Sequence, residues 1–466
     1  MESCLKRIFT FALCFSLFLL PLFSAENTAY LSPYPQNFTQ HTLSALAEIS
    51  LITFDSGDSL FRAFGHSSIR VSDPVKNIDK LFTFGAIENI DSPSEQLSLL
   101  YKRKKCKAGA ARFLDVLKYD NEKQNRLVIE QKLNISREDK EKIYSYLLWK
   151  TQELNVIDDY DLTKNNCATI SRDVIKLAWS TALSENRFLY DSASPLSYRS
   201  LIVSKLSTRP WAALAADFFL GSAADRQATI YDITFMPDIL RSVVSVAKIK
   251  SNGETLPLIK STSVIYTPIE KKSKLSTSPR TPELVFMLLA ALAMCMTLLQ
   301  PSLYLLSLKN EKAITAQRIA KSLMQSFDIL FFFLTGLLGL LCLLLSIFGK
   351  STITAGNINF IWLLPTNIIF AFSCYKEKNR AIISGYFLAL AYLSLFTFIF
   401  REKFIQHINP AFSSIMLITI SRSLFQALSR PLKAMLQATA LSRNTSAQNR
   451  LYTTGQQPLR SPLQNP

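Results

Sequence analysis

At 466 residues, with 52 Lys and Arg against 35 Asp and Glu, the chain carries a net charge of +17, which alone would suit a nucleic-acid partner. Its distribution argues against nucleic acid and for a membrane: residues 1–25 carry +1, residues 26–282 carry +5, and residues 283–466, the most apolar part, hold 16 basic and 5 acidic residues for +11. Twelve Gly and 19 Pro exclude a fibrous or low-complexity chain.

The first 25 residues read as an export signal, with Lys6 and Arg7 before an apolar run from Ile8 to Phe23 and then Ser24-Ala25. Phe11-Ala12-Leu13-Cys14 is a poor lipidation motif, because a bulky Leu precedes the Cys. Residues 26–282 are then expected outside the cytoplasm as one domain. Within it, Ile49–Phe54, Ser68–Val71 and Leu81–Phe84 are apolar and rich in strand-forming residues. Ser136, followed three residues later by Asp139, predicts a capped helix running to about Leu154. A second helix is predicted from Asn166 or Cys167 to about Trp179, with Ile170, Val174, Ile175 and Leu177 on one face. Strands mixed with helices make this domain α+β.

Residues 283–427 hold five apolar runs: Leu284–Leu308, Ile329–Phe348, Ile358–Cys374, Ala381–Phe400 and Ile408–Ala427. Each approaches the ~20 residues that cross a bilayer, the third and fifth being short or interrupted by polar residues. Five crossings from an exported domain put Lys309, Lys312, Arg318 and Lys321 in one inner loop and Lys376, Lys378 and Arg380 in the next. The short outer loops hold Lys350, Arg401 and Lys403, so the basic residues favour this orientation. Lys271, Lys272, Lys274 and Arg280, before the first crossing, read as a solvated linker or a contact with anionic headgroups. Residues 428–466, rich in Ser, Thr, Gln and Asn, are expected to be a disordered cytoplasmic tail.

Of seven Cys, only Cys106 and Cys167 fall in the exported domain. Of three His, His66 opens a predicted strand, His41 lies in a polar stretch and His407 at a membrane edge. Cys167 should sit in the first turn of its helix with Asn166 as N-cap, where orphan N–H groups and the helix dipole favour a thiolate. His66 could serve it as base. Two bland readings stand beside this one: a Cys106–Cys167 disulfide in an oxidising compartment, and a core His. Cys106 itself lies in the charge run Lys102–Lys107, the composition of a solvated surface. No metal site or cofactor is indicated.

Four segments taken in order are similar to a known family. Asp55-Ser-Gly-Asp-Ser-Leu-Phe-Arg-Ala-Phe-Gly-His-Ser-Ser-Ile-Arg-Val71 resembles the signature strand and turn of the Lnb-type bacterial lipoprotein N-acyltransferases, and Phe82-Thr-Phe-Gly85 resembles the strand that follows it there. Asn165-Asn-Cys-Ala-Thr-Ile-Ser-Arg-Asp173 resembles that family's Cys helix. Ala216-Asp-Phe-Phe-Leu-Gly-Ser-Ala-Ala-Asp-Arg226 resembles a later stretch. The resemblance implies a permuted papain-like fold, related to NlpC/P60 and lecithin:retinol acyltransferase domains, followed by an all-α five-helix membrane domain. It implies Cys167 as nucleophile and His66 as base. Ser68 and Thr83 are both placed to orient the imidazole, Thr83 standing where the family usually has Asn. Asn166 and Arg172 are supporting candidates, Arg172 with Asp173 being structural or headgroup-directed. Asp217 and Asp225 are expected to fix a turn around Gly221. The function implied is transfer of an acyl chain from a phospholipid, through a Cys thioester, to the α-amino group of a lipoprotein at the bacterial inner membrane. Its rivals are a cell-wall cysteine peptidase or amidase and a non-catalytic scaffold held by the Cys106–Cys167 disulfide.

Overall fold

The computed structural model describes residues 39–429, apart from positions within 88–103, 119–123, 153–157, 179–190, 252–253, 309 and most of 270–279 and 374–378. The expected signal, nearly all of the expected cytoplasmic tail, the Lys271–Lys274 cluster and the expected helix ends at Leu154 and Trp179 lie outside those residues.

The N-terminal domain is built on a seven-stranded sheet in the order β6-β4-β3-β2-β1-β5-β9. Its strands are β1 (Glu48–Phe54), β2 (His66–Asp73), β3 (Ile78–Ala86), β4 (Lys104–Arg112), β5 (Val128–Leu133), β6 (Asp158–Tyr160) and β9 (Ile259–Tyr266), all paired antiparallel. A hairpin of β7 (Lys248–Ser251) and β8 (Glu254–Pro257) stands apart. Alternation of side chains sorts the apolar residues between two faces. Ile49, Leu51, Ile69, Val71, Phe82 and Phe84 pack under α1 (Arg137–Lys150), α2 (Cys167–Lys176) and α5 (Pro237–Val246), through Ile143, Leu147, Val174, Leu240 and Val244. Ile52, Phe54, Leu81 and Val128 point the other way and enclose Phe113. Ser136 caps α1 as its spacing predicts, accepting from the Asp139 N–H at 3.1 Å.

The charge run around Cys106 is largely solvated, with Lys102, Lys105 and Lys107 exposed. It opens β4, Lys104 pairs with Glu95 and Lys105 with Asp159, and Cys106 is buried rather than solvated.

In the C-terminal domain, α6 (Thr281–Ser307), α7 (Glu311–Phe348) and α8 (Arg380–Phe400) are long and apolar enough to cross a bilayer, and residues 412–429 are also helical. α7 starts earlier than its apolar run, so Arg318 and Lys321 lie on its first turns and not in a loop. The third apolar run is not one continuous helix. A 3-10 turn at Ile358–Ile361 and a short helix at Asn367–Ala371 carry it, pressed against α7. A Cβ on Gly339 would fall 1.5 Å from the Leu363 carbonyl oxygen, and one on Gly336 2.6 Å from the Ile368 nitrogen. Two glycines one turn apart thus let backbone meet backbone, the small-residue contact of membrane helices.

The same interior buries an ion pair. Arg422 binds Asp328 through Nε at 2.7 Å and Nη2 at 2.6 Å, and Gln426 and the Tyr375 hydroxyl also donate to the carboxylate. Both charged side chains are fully buried. Removing one partner strands the other in an apolar setting, at a cost of about 3–5 kcal/mol. Asp328→Ala is therefore expected to lower the thermal unfolding temperature of the detergent-solubilised protein, and the double change Asp328→Ala with Arg422→Met to recover most of the loss.

The two domains are docked through the stretch 216–226. α4 (Pro210–Phe219) ends there, and the Phe218 carbonyl accepts from the side-chain amides of Asn357 at 2.8 Å and Asn359 at 3.0 Å. The Gly221 N–H donates to Ile353, the Ser222 N–H to Gly356, and Asn409 donates to Asp217. Asp217 and Asp225 do flank a turn at Gly221 as expected, but both are held by Arg199 of α3 (Tyr198–Lys205), and the turn serves as the seat of the membrane domain.

Candidate active site

His66 is the first residue of β2, and the chain reaches it through Gly65, whose φ of +77° a side chain would strain. A Cβ there would also meet the Phe54 carbonyl oxygen at 2.9 Å. Cys167 is the first residue of α2. Asn166 accepts from the N–H groups of Ala168 and Thr169, both at 2.9 Å, while Thr169 accepts from the Asn166 N–H at 2.8 Å, completing a capping box. The Asn166 amide donates to the carbonyls of Leu162 and Phe235, so the cap also anchors the helix start to two loops.

A break in the sheet brings thiol and imidazole strand together. The β2–β3 ladder ends at the pair Ser68–Thr83, where β3 bulges between Thr83 and Ala86 around Gly85 at φ +74°. Beyond it the Ser67 N–H, next in sequence to His66, acts on the Cys167 sulfur and favours its anion. A Cβ on Gly85 would lie 3.5 Å from the Cys167 nitrogen and 3.3 Å from the Tyr160 ring, so the bulge glycine is what lets the helix start come so close. The N–H groups of Cys167 and Ala168 also act on the sulfur.

The Lnb N-terminal periplasmic domain family matches residues 34–203, and the Lnb transmembrane domain family matches residues 274–431. Together the two matches span more than two thirds of the chain, in the order that the family's architecture requires. The chain belongs to the Lnb family. It is thus an inner-membrane protein with a periplasmic N-terminal domain. No curated protein and no solved structure matches it.

In this Lnb chain the four motif segments occupy two places. His66, Thr83, Gly85 and Cys167 converge at the bulge, whereas 216–226 forms the docking turn. Of the two orienting candidates, Thr83 meets the imidazole: its hydroxyl lies 2.6 Å from His66 Nε2. Ser68, directly opposite Thr83 in the ladder, is fully buried and makes no hydrogen bond through its hydroxyl. The contact engages Nε2 with the Thr83 hydroxyl, and which of the two donates follows the imidazole tautomer. Thr83→Val keeps the shape and removes that hydrogen bond, so turnover is expected to fall by about tenfold to a hundredfold with thermal stability nearly unchanged, which initial rates and a melting curve will check.

Arg172 does not face the thiol. Its guanidinium lies 3.7 Å over the Tyr231 ring and donates to Asp173, the Tyr231 carbonyl and Thr234, fastening α2 to the loop before α5. Cys106 and Cys167 are free thiols, so the disulfide of the scaffold reading is not formed. Each is held by its own element, Cys106 in the β4–β6 pairing and Cys167 by the α2 cap.

The electrostatics correct the thiolate expectation. Burial pushes the Cys167 thiol up to about 11, outweighing the N–H groups of Ser67, Ala168 and Cys167 itself that favour the anion. Burial, then the charges of Arg126 and Arg62, lower His66 to about 4. At rest the thiol and the imidazole are therefore both neutral. Neither arginine was legible as a site residue, and Arg126 lies outside all four motif segments.

Proposed function

We propose that this Lnb chain is a lipoprotein N-acyltransferase, with residues 26–282 as a periplasmic thiol acyltransferase of permuted papain-like type and residues 283–427 as its five-crossing membrane domain. The observation that carries this reading is one β-bulge that holds a strand-start His against the Thr83 hydroxyl and, at Gly85, admits the start of the Cys167 helix, in a domain docked directly on membrane helices. Docking matters because both reactants, a phospholipid and a diacylglyceryl-modified lipoprotein, stay embedded in the bilayer. A cell-wall peptidase has no use for such a seat, and a disulfide scaffold lacks its disulfide.

In the first half-reaction Cys167 Sγ attacks the carbonyl carbon of an acyl ester while His66 takes the thiol proton. The oxyanion forms close to the backbone N–H groups of Ser67, Cys167 and Ala168. The C–O bond then breaks, and His66 returns the proton to the departing glycerol oxygen, which leaves as a lysophospholipid. In the second half the acceptor's α-amine attacks the thioester, the C–S bond breaks, and the amine proton passes through His66 to the sulfur. A burial that excludes water favours the amine over hydrolysis. Mass spectrometry of a lipoprotein N-terminus tests the reading in a strain lacking other N-acyltransferases. The amide-linked chain is expected with the intact protein and absent with Cys167→Ala, and its persistence in the variant would sink the proposal.

A further inference from the structure

Arg62 and Arg126 both act electrostatically on the proposed base, Arg126 also on the proposed nucleophile, and neither has a part in the reaction above. Gly57 is the cradle that brings them together: a Cβ there would lie 3.1 Å from Arg126 Cδ and 3.1 Å from Arg62 Cβ. The Gly57 N–H donates to the Arg62 carbonyl at 2.8 Å, and so does the N–H of Gly65, the residue before His66. Arg126 is 5% exposed and sits 5.1 Å over the Phe54 ring. Phe54 is the ladder partner of His66, with the two rings 6.1 Å apart. Arg126 thus stands one ring away from the imidazole, and the Arg62 backbone is tied to the residue that precedes His66.

The loop also has a fixed relation to the membrane domain. Arg209 donates to the carbonyls of Gly57 and Asp58, and it is the residue from which α4 starts. Two residues on, Trp211 packs edge-to-face on Phe286 near the start of α6, with ring centroids 5.8 Å apart. The Gly57–Arg62 loop is therefore tied, through the first turn of α4, to the start of the first apolar helix.

Two positive charges beside the general base oppose the imidazolium that each proton transfer creates. A substrate anion lying against them removes that opposition, and an ester of a glycerophospholipid carries such an anion a few bonds from the acyl carbon to be attacked. We propose that Arg62 and Arg126 form the subsite for the phosphodiester of the lipid acyl donor, selecting a phospholipid over an uncharged ester. The assignment rests on the acyl-transfer reading.

The test uses the full-length protein in detergent micelles and follows acylation of Cys167 by intact mass. The donors are phosphatidylethanolamine and the phosphate-free p-nitrophenyl palmitate. With Arg126→Gln, and again with Arg62→Gln, the rate from phosphatidylethanolamine relative to the p-nitrophenyl ester is expected to fall about tenfold or more, with Arg126→Lys partly restoring it. Equal losses with both donors, the mark of a structural role, overturn the subsite, as does an unchanged ratio. Strong competition by inorganic phosphate alone reassigns the cradle to the free ion and overturns the lipid assignment. If Cys167 of the unaltered protein takes an acyl chain from neither donor, it is the acyl-transfer reading itself that fails.

Discussion

Alanine at Cys167 is expected to remove acyl transfer altogether, and alanine at His66 to slow it by about a thousandfold, because the thiol is protonated at rest and depends on a base at the moment of attack. The pH dependence distinguishes this pair from a preformed thiolate–imidazolium couple. With His66 held down to about 4 by burial and two guanidinium charges, the imidazole stays neutral as pH falls well below its ordinary value of 6.5. The acid limb of the rate is therefore expected below about pH 5. Alkylation of Cys167 by iodoacetamide is expected to be slower at pH 7 than that of an ordinary thiol, and to climb toward pH 11, where burial has moved the group. Fast alkylation at pH 6 would show a thiolate already present and defeat this reading. The same shift has a consequence for stability. The unfolded chain binds the His66 proton more tightly, so acidification from 6.5 toward 4 favours unfolding, and the stability contributed by neutral His66 is present above that window.

How much of this was legible from residues alone depended on how local the physics was. The apolar segments Ile49–Phe54 and Leu81–Phe84 are strands because alternation against one buried face is a local pattern, and β1 and β3 contain them both. The Asn166 cap of α2 and the Ser136 cap of α1 are local for the same reason. β4 escaped, since its Lys, Gly and Ala have no apolar rhythm and its charges are compensated by Glu95 and Asp159, which only the fold brings near. The choice between Ser68 and Thr83 was open in sequence, both lying on the imidazole's face of the sheet. A diagonal reach across the ladder at the bulge decided it for Thr83. The thiolate expectation used the helix N-terminus alone, and the opposing cost of burial is a tertiary quantity. Arg126 was invisible for a related reason: it stands 60 positions from His66 and joins it only because β5 pairs with β1, which pairs with β2.

Arg199 is where loss of one side chain should separate fold from function most sharply. It is 3% exposed and donates from Nε to Asp225 at 2.8 Å and from Nη1 to Asp217 at 2.6 Å, with Nη2 on the carbonyls of Leu220 and Gly221. Asp217 and Asp225 in turn accept from Asn409 and from the His407 N–H of the membrane domain. Arg199→Ala leaves two carboxylates facing each other with no cation between them, a defect of about 3–5 kcal/mol. Arg199→Lys supplies the charge without the planar fork that serves two carboxylates and the carbonyls of Asp217, Leu220 and Gly221, so it is expected to rescue only part. The proposed catalytic bulge is built from β2, β3 and α2, none of which contains the clamp. The expected result is therefore a protein whose Cys167 still reacts with iodoacetamide while turnover with membrane-embedded substrates collapses and protease cleavage near the 216–226 turn rises. Gly221→Ala reaches the same end by another route, since its Cβ would sit 2.0 Å from the Ala355 carbonyl oxygen and must push the seat apart. Should both variants retain normal turnover, the docking contact would not be what holds the catalytic domain to its substrates.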